Sequence, residues 1–372
     1  MFQSASEIAE KIVLEEFSGK RCETIPSITN LARTSNRYRY IQRPRQPRHL
    51  TFGLQEKHVP KDFLRADVQI GSQRHFMFAT DYQLQLLSRA ATWYMDGTFK
   101  IVKEPFVQLF SIHAFVRKDG KIKQLPLCFF IMSSRRRCDY EAVLTVLLQH
   151  LSTGPNVQKV VTDFENALWK AVGNVMDVRH RGCAFHWSQA VRRHMRRIPG
   201  LCARYSRNMY DRHLLRQVMA LMYLPANKIV DQFTLLKTQL EDRGFSRVTD
   251  YVRKTWVASR SWPPRAWTVF NQVIRTNNDC ESWHRRLNAK ARGVSVNFYF
   301  LIGLLHEEAK MVPINVKLLT DDKVRRAKSM KTKTREARIN KCWDGYTRGI
   351  RTANQLLQDC AKLHLLPLVE DE

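Results

Sequence analysis

Acidic residues are scarce in this sequence. Its 372 residues contain 34 Asp and Glu against 62 Lys and Arg, so the formal net charge is +28. An excess of positive charge this large is typical of proteins with a polyanionic partner, most often a nucleic acid. A ribosomal-type or merely soluble basic protein is the alternative interpretation. An anionic membrane surface fits less well, because no long amphipathic basic helix stands out.

Several other features are missing from the chain. No uninterrupted apolar run approaches the roughly 18 residues of a transmembrane helix, so we expect no membrane span. The first residues lack the basic and apolar regions of a secretory signal. The eight cysteines include no CxxC pair and are too scattered for a disulfide framework. These absences favour a reducing compartment, the cytosol or the nucleus.

Two apolar segments each end on an aspartate. Residues 92–95 lead to Asp96, and residues 159–162 lead to Asp163. The pattern also predicts strands at 106–115 and 122–131 and helices at 139–151 and 167–172. Three strands, a helix, a strand and a helix follow the order of the ribonuclease H fold, an α/β fold with a mixed sheet whose first and fourth strands are neighbours. We therefore expect Asp96 and Asp163 to lie side by side.

A third acid, Glu281, lies in the first turn of a predicted helix. A single aspartate at a strand end commonly does no more than cap a turn. Two aspartates and a distant glutamate, however, have the composition of a site for two hard divalent cations. Residues 188–276 have an almost wholly helical pattern, which we interpret as an insertion between the first part of the core (61–187) and its Glu-bearing helix (277–310). A separate helical domain is the alternative.

Basic segments lie at both ends of the chain. Residues 1–60 are predicted to be an accessory region, in which Arg37 and Arg39 belong to a stretch suited to an extended arm on a phosphate backbone. A solvated linker is an equal alternative. Residues 311–372 are predicted to form a basic helical tail, either a solvated surface helix or, as we favour, a second DNA contact. Arg285 and Arg286, one turn beyond Glu281, could neutralise DNA phosphates or be exposed helix charges.

Cys183 and His186 form a Cys-x-x-His motif, which is half of a zinc site. Candidates for the other half are Cys202, His180 and His194, but none of them sits in a recognised spacing. We therefore favour a packed, hydrogen-bonded pair over structural zinc.

Four motifs in this order resemble the transposases of Mutator-like DNA transposons. They are Asp96-Gly97-Thr98-Phe99-Lys100, Thr162-Asp163-Phe164-Glu165-Asn166-Ala167, Gly182-Cys183-Ala184-Phe185-His186-Trp187, and Asn277-Asn278 leading to Glu281. The similarity covers residues 60–310 and implies a DDE catalytic core with a helical insertion before the glutamate. By the family's pattern, Asp96, Asp163 and Glu281 would bind two Mg²⁺ or Mn²⁺ ions, and Cys183 and His186 would support the site.

The resemblance also implies a partner, a reaction and a location. The expected partner is double-stranded DNA, cleaved and joined to a target in the nucleus by a homo-oligomer that holds two transposon ends. Many relatives carry zinc-binding modules at both ends, whereas here the early region has only Cys22 and the tail only Cys342 and Cys360. This departure shifts recognition of transposon ends to the basic arm, or indicates a fragment or a host-retained copy.

Two rival functions remain beside a DNA transposase. One is a domesticated, catalytically silent derivative that still binds DNA. The other is a basic RNA-binding or structural protein, which would have no need for three acids in this order.

Overall fold

The computed structural model describes residues 5–17, 27–272, 274, 278–291, 295–320 and 330–363. Within these ranges the chain forms a mixed α/β fold. Its strands are β1 (Leu64–Ile70), β2 (Gln73–Phe78), β3 (Thr92–Thr98), β4 (Gln108–Lys118), β5 (Lys121–Met132), β6 (Lys159–Thr162) and β7 (Arg179–Gly182).

The α-helices extend from the N-terminal region to the end of the described chain. They are α1 (Ala5–Phe17), α2 (Ile28–Gln42), α3 (Asp81–Arg89), α4 (Arg137–Gln149), α5 (Asn166–Val175), α6 (Ala184–Arg196), α7 (Leu201–Arg207), α8 (Met209–Ala220), α9 (Ala226–Asp242), α10 (Ser246–Val252), α11 (Pro264–Trp267), α12 (Asn278–Ala291), α13 (Phe298–Thr320), α14 (Met330–Thr347) and α15 (Ala353–Leu363). Among these described helices, none combines the length and the apolar character needed to pass through a bilayer.

The seven strands form one mixed sheet in the order β1-β2-β5-β4-β3-β6-β7. β3 pairs with β4 in the antiparallel direction and with β6 in the parallel direction, with Trp93 opposite Val160. The predicted neighbourhood of these two aspartate-bearing strands is therefore confirmed. The strand order is compatible with a ribonuclease H-like fold. Because β3 and β6 are parallel, their C-terminal ends meet at the same edge of the sheet.

The sequence pattern does not predict three of the strands. β1 and β2 form a hairpin beside β5, and Gly71 at its turn has a φ of +56°, which glycine adopts without steric cost. β7 is short and polar, with the sequence Arg-His-Arg-Gly, and it pairs in parallel with β6. Backbone hydrogen bonds to β6 hold this segment in the strand conformation. Because its residues are polar, apolar periodicity does not predict the strand.

Helices cover both faces of the sheet. α3, α4 and α5 pack against one face through a buried apolar cluster. α12 and α13 cover the other face, where the ring of Trp283 stacks on Phe129 at a centroid distance of 5.6 Å. The apolar segment 298–305 packs on this face of the sheet. Its helix continues to Thr320, beyond the expected end of the core at residue 310.

A second, helical core contains the C-terminal helices. The described elements between β7 and α12 are helical, as the predicted insertion requires, and they share one buried apolar cluster with α14 and α15. Ile339, Trp343 and Leu356 are buried in it. Residues 330–363 of the predicted basic helical tail are helical, but their few apolar side chains complete the core of the insertion. The basic residues 323–328 lie outside the described residues.

The N-terminal basic segment is also different from its prediction. α2 contacts α1 and carries Arg37 and Arg39 on a helix, so the extended arm, which was expected from Arg33 onward, is wrong for residues 33–42. The side chain of Arg39 lies outside the described residues. On a helix, side chains three to four residues apart lie on the same face, whereas in an extended arm successive side chains point to opposite sides.

Replacing Trp343 with Ala should destabilise the helical core. This residue is 3% exposed, and its indole N–H donates a hydrogen bond to the Tyr223 carbonyl at 2.9 Å. Because the truncation leaves a cavity, we expect the free energy of unfolding in urea to fall by about 3–5 kcal/mol. Ile350→Ala is the control, since Ile350 is 71% exposed. Equal stability of the two variants would contradict the packing of α14 in this core.

Candidate active site

Strand β3 delivers Asp96 to the sheet edge that it shares with β6. The residue is 4% exposed, and its backbone pairs with Ser111 of β4. Oδ1 accepts a hydrogen bond from the Gly97 N–H at 2.9 Å. Oδ2 is buried and accepts no hydrogen bond from any described residue, although His284 Nδ1 lies 3.5 Å away. A buried carboxylate oxygen without a donor is energetically costly, so this oxygen is suited to a further positive partner.

Strand β6 ends at Thr162, and Asp163 follows it directly. The Thr162 carbonyl accepts a hydrogen bond from the Cys183 N–H at 2.8 Å, which holds the chain after β7 beside β6. Gly182 permits this close packing, because a Cβ at that position would lie 2.1 Å from the ring of Phe164. These contacts fix Asp163 on the strand next to β3 and place Cys183 at the start of α6.

Helices α6 and α12 each add one side chain to this edge. Glu281 lies in the first turn of α12, and His186 lies in the first turn of α6. His186 Nε2 is 3.0 Å from Glu281 Oε1. Ligand atoms of Asp96, His186 and Glu281 all lie within 4.8 Å of one another, as in a group that could hold a metal ion. The geometry therefore adds His186 to the predicted acids and leaves Asp163 outside this closest group.

Burial dominates the ionisation of the acids. It raises the pKa of Asp96 to about 7; the charge of His186 opposes this rise, whereas Glu281 and Asp163 reinforce it. Burial also raises the pKa of Asp163. The pKa of Glu281 is instead lowered, chiefly by its hydrogen bond with His186. The site therefore has more negative charge than its surroundings can stabilise.

His186 supplies the nearest positive charge to these acids. Burial alone would lower its pKa, but hydrogen bonds with Cys183 and Glu281 raise the pKa to about 11. The imidazole is therefore protonated at neutral pH. Cys183 is 1% exposed and lies three residues before His186, whose Nε2 faces Glu281.

The sequence interpretation misses three polar side chains beneath Asp96. His284 Nε2 lies 3.1 Å from the hydroxyl of Ser111, and His113 Nε2 lies 2.9 Å from the same oxygen. Burial lowers the pKa of His284 to about 4, so this ring is neutral. One signal was available, because His284 is three residues after Glu281 and residues at that spacing share a helix face. Ser111 and His113 lie within an apolar strand and give no comparable signal.

Asp96 and Glu281 offer oxygen ligands that suit a divalent cation. Carboxylate oxygens are the ligands that Mg²⁺ prefers, and Mn²⁺ suits the same ligands. The buried Asp96 Oδ2 has no hydrogen-bond donor, and the pKa of Asp96 is raised by its neighbours as well as by burial. A divalent cation would relieve both effects.

One family of known proteins matches this part of the chain. Residues 92–190 match the family model described as the MULE transposase domain. This segment is similar to the MULE transposase domain. The match confirms the resemblance to the transposases of Mutator-like elements, and such a domain implies a transposase-related function and interaction with DNA. No curated protein matches the chain.

The matched segment contains Asp96, Asp163, Cys183 and His186, whereas Glu281 lies beyond it. The fold brings Glu281 back to the domain across the helical insertion. Its contact with His186 therefore joins α12 to the matched segment.

A further acid of the matched segment, Glu165, is already satisfied by a hydrogen bond. The Tyr140 hydroxyl donates to Glu165 Oε2 at 3.2 Å, and Gln108 Nε2 donates to the same hydroxyl at 2.8 Å. Burial raises the pKa of Glu165, with a smaller contribution from Asp163. Because Glu165 has its own donor, we assign it to the packing beside the site rather than to the ligands.

The two arginines after Glu281 have different surroundings. Arg286 Nη2 lies 3.1 Å from Glu308, a 4% exposed carboxylate that also accepts a hydrogen bond from the Trp283 indole. Arg285 is exposed on α12. Arg286 therefore has a structural partner on α13, and Arg285 is the better placed of the two for an external phosphate.

Proposed function

We propose that this chain is a DDE-type DNA transposase of the Mutator-like class, which cleaves DNA strands and transfers them with metal ions. The supporting observation is the convergence of acids at one sheet edge. Ligand atoms of Asp96 and Glu281 lie within 4.8 Å of each other, and Asp163 follows the strand that pairs with β3. A ribonuclease H-like core is the fold proposed for this arrangement. If the site were only a structural ion pair, we would expect Asp96 Oδ2 to accept a hydrogen bond, and it accepts none from the described residues.

Asp96, Asp163 and Glu281 would hold the proposed Mg²⁺ or Mn²⁺ ions. When bound, two such ions activate the attacking oxygen and stabilise the leaving oxygen of a phosphodiester. His186 orients Glu281 through their 3.0 Å contact. His284, with its pKa lowered to about 4 by burial, adds no charge beside Asp96 at neutral pH. Its Nε2 contacts the Ser111 hydroxyl, and this contact fixes the orientation of the imidazole beneath Asp96.

Double-stranded DNA is the proposed partner, and a cluster of cations supports a path for it across the sheet. Lys159 pairs in register with Arg179, and Arg181 lies two residues further along β7, so all three side chains project from the same face. Burial lowers the pKa of Lys159, and the charges of Arg181 and Arg179 lower it further. None of the three forms an ion pair with a carboxylate among the described residues. Phosphates would relieve this repulsion.

Replacing Arg179 with Gln should weaken DNA binding in a salt-dependent way. Each phosphate contact contributes about 0.9 to the slope of log affinity against log salt concentration, so the slope should fall by about 1. Fluorescence anisotropy over a salt series measures it. The control is Arg348→Gln, which removes one exposed cation at the distant end of α14. An unchanged slope for Arg179→Gln would place the duplex elsewhere.

A domesticated, catalytically silent derivative is the second candidate. The observation that favours it is the ion pair between His186 and Glu281, which neutralises one acid without a metal ion. In both cases we propose a nuclear protein. We also propose a homo-oligomer for the active transposase, because two transposon ends must be held together.

Cleavage of labelled DNA carrying candidate element ends distinguishes the two candidates. The experiment compares the intact protein with Asp163→Asn in Mg²⁺ or Mn²⁺. Metal-dependent nicking that is lost in the variant supports the DDE transposase. Tight binding by both proteins without nicking supports the silent derivative.

A further inference from the structure

An exposed aromatic ring lies beside the acids. Phe99 follows β3, three residues after Asp96, and is 48% exposed. The apolar residues that flank it in sequence, Met95 and Ile101, are fully buried. Core packing therefore explains why Met95 and Ile101 are apolar, but it does not explain why residue 99 is a phenylalanine.

An arginine covers this ring. The guanidinium carbon of Arg135 lies 4.6 Å from the centroid of Phe99. The two residues that follow are engaged elsewhere: Arg136 pairs with Asp139, and Arg137 pairs with Glu141. Arg135 forms no such ion pair within the described part of the chain. Of the three consecutive arginines, Arg135 is the one that stacks on Phe99.

Sheet geometry places both residues at that edge. Thr98, at the end of β3, pairs with Leu109 of β4, which pairs in turn with Ile131 near the end of β5. Phe99 follows β3 and Arg135 follows β5, so both leave the sheet on the side where β6 delivers Asp163. The charge of Arg135 lowers the pKa of Asp163 and of Glu165, against the larger effect of their burial, which agrees with this proximity.

We propose that Phe99 and Arg135 form a platform for one unpaired nucleotide next to the DNA phosphate attacked at the acid site. This inference rests on the proposed transposase function. The base stacks on Phe99, as bases do on aromatic side chains in single-strand binding sites. Arg135 binds the adjoining phosphate and can stack on the base with its guanidinium plane. Base faces inside a duplex are covered by their neighbours, so the platform selects a strand that is locally unstacked.

Fluorescence anisotropy with the full chain tests the platform without cleavage. The probes are a blunt duplex and the same duplex with a short single-stranded extension, both in Ca²⁺. We expect the intact protein to bind the extended duplex about tenfold more tightly, which corresponds to one stacked base. Phe99→Leu should abolish this preference and retain the affinity for the blunt duplex, whereas Phe99→Trp should keep the preference.

Neighbouring arginines provide a matched control. Arg135→Gln should reduce the preference for the extension, and Arg137→Gln, which removes the same charge two residues away, should leave it intact. Full preference in Phe99→Leu, or no preference in the intact protein, overturns the platform. Preference for the extension without any metal-dependent nicking supports the platform and counts only against the catalytic proposal. No binding to either probe overturns both.

Discussion

Replacing Glu281 with Gln should reduce metal-dependent DNA cleavage by about 10³-fold or more, because a metal ligand is lost where transition-state charge develops. The substitution is conservative in the metal-free protein. A glutamine oxygen can still accept the hydrogen bond that His186 Nε2 gives to Glu281 Oε1 at 3.0 Å. Helix α12 should therefore keep its position, and the loss should appear in turnover rather than in folding. Single-turnover cleavage in Mn²⁺, with circular dichroism of both proteins, measures the two effects.

Asp279→Asn is the matched control for this prediction. Asp279 lies in the same first turn of α12, two residues before Glu281, and its removal changes the net charge by the same amount. We expect it to alter cleavage by less than about threefold, because residues two apart do not share a helix face. Equal losses in the two variants would mean that the charge of α12, and not the position of Glu281, governs activity.

The meeting of Asp96 and Asp163 could be predicted from sequence because each acid ends an apolar strand. The order of elements between them then specifies which strands are neighbours, and the parallel pairing of β3 with β6 agrees with it. Glu281 could be assigned to a helix start, but not to a distance from Asp96. That distance depends on how α6 and α12 pack against each other. The contact between His186 and Glu281 joins these two helices, and the Cys-x-x-His motif does not predict this contact.

The errors have a common physical cause. The few apolar residues of the tail favour a surface helix, either solvated or in contact with DNA, yet Trp343 and Ile339 are buried in the core of a different segment. Local composition indicates whether a helix can be amphipathic, but it does not indicate against which distant part of the chain the helix packs. The same applies to β7, whose polar residues are ordered by backbone pairing with β6. Long-range partners, rather than local propensity, determined both elements.

Replacing Asp96 with Asn should stabilise the metal-free protein above neutral pH. The pKa of Asp96 is raised from its ordinary value of 3.8 to about 7 in the folded chain, first by burial. The protonated form is therefore favoured by folding, and its contribution is complete below about pH 4 and lost as the pH rises through about 7. An asparagine does not undergo this loss. By linkage the difference at pH 8 is at most about 4 kcal/mol.

Neighbouring charges reduce that gain. The charge of Asp96 contributes to the raised pKa of His186, so the variant loses this favourable interaction. The variant also loses the repulsion of Asp96 by Glu281 and Asp163. We therefore expect a gain of about 1–4 kcal/mol in the free energy of unfolding at pH 8 in EDTA, and little difference at pH 4. Urea unfolding at the two pH values measures it. A variant that is less stable than the intact protein at pH 8 would mean that Asp96 is satisfied by its own protein environment.

Adding Mn²⁺ should reverse the order of stability. An ion that binds the folded intact protein stabilises it by about 4.1 kcal/mol at a concentration of 1,000 times its dissociation constant, which exceeds the upper end of the variant's expected gain. The variant lacks the carboxylate with the donor-less Oδ2 and should gain much less. The acid that destabilises the metal-free fold would then be the one that binds the ion most effectively, because both effects arise from a buried negative charge with too few donors. An equal response of the two proteins to Mn²⁺ would place the ion away from Asp96.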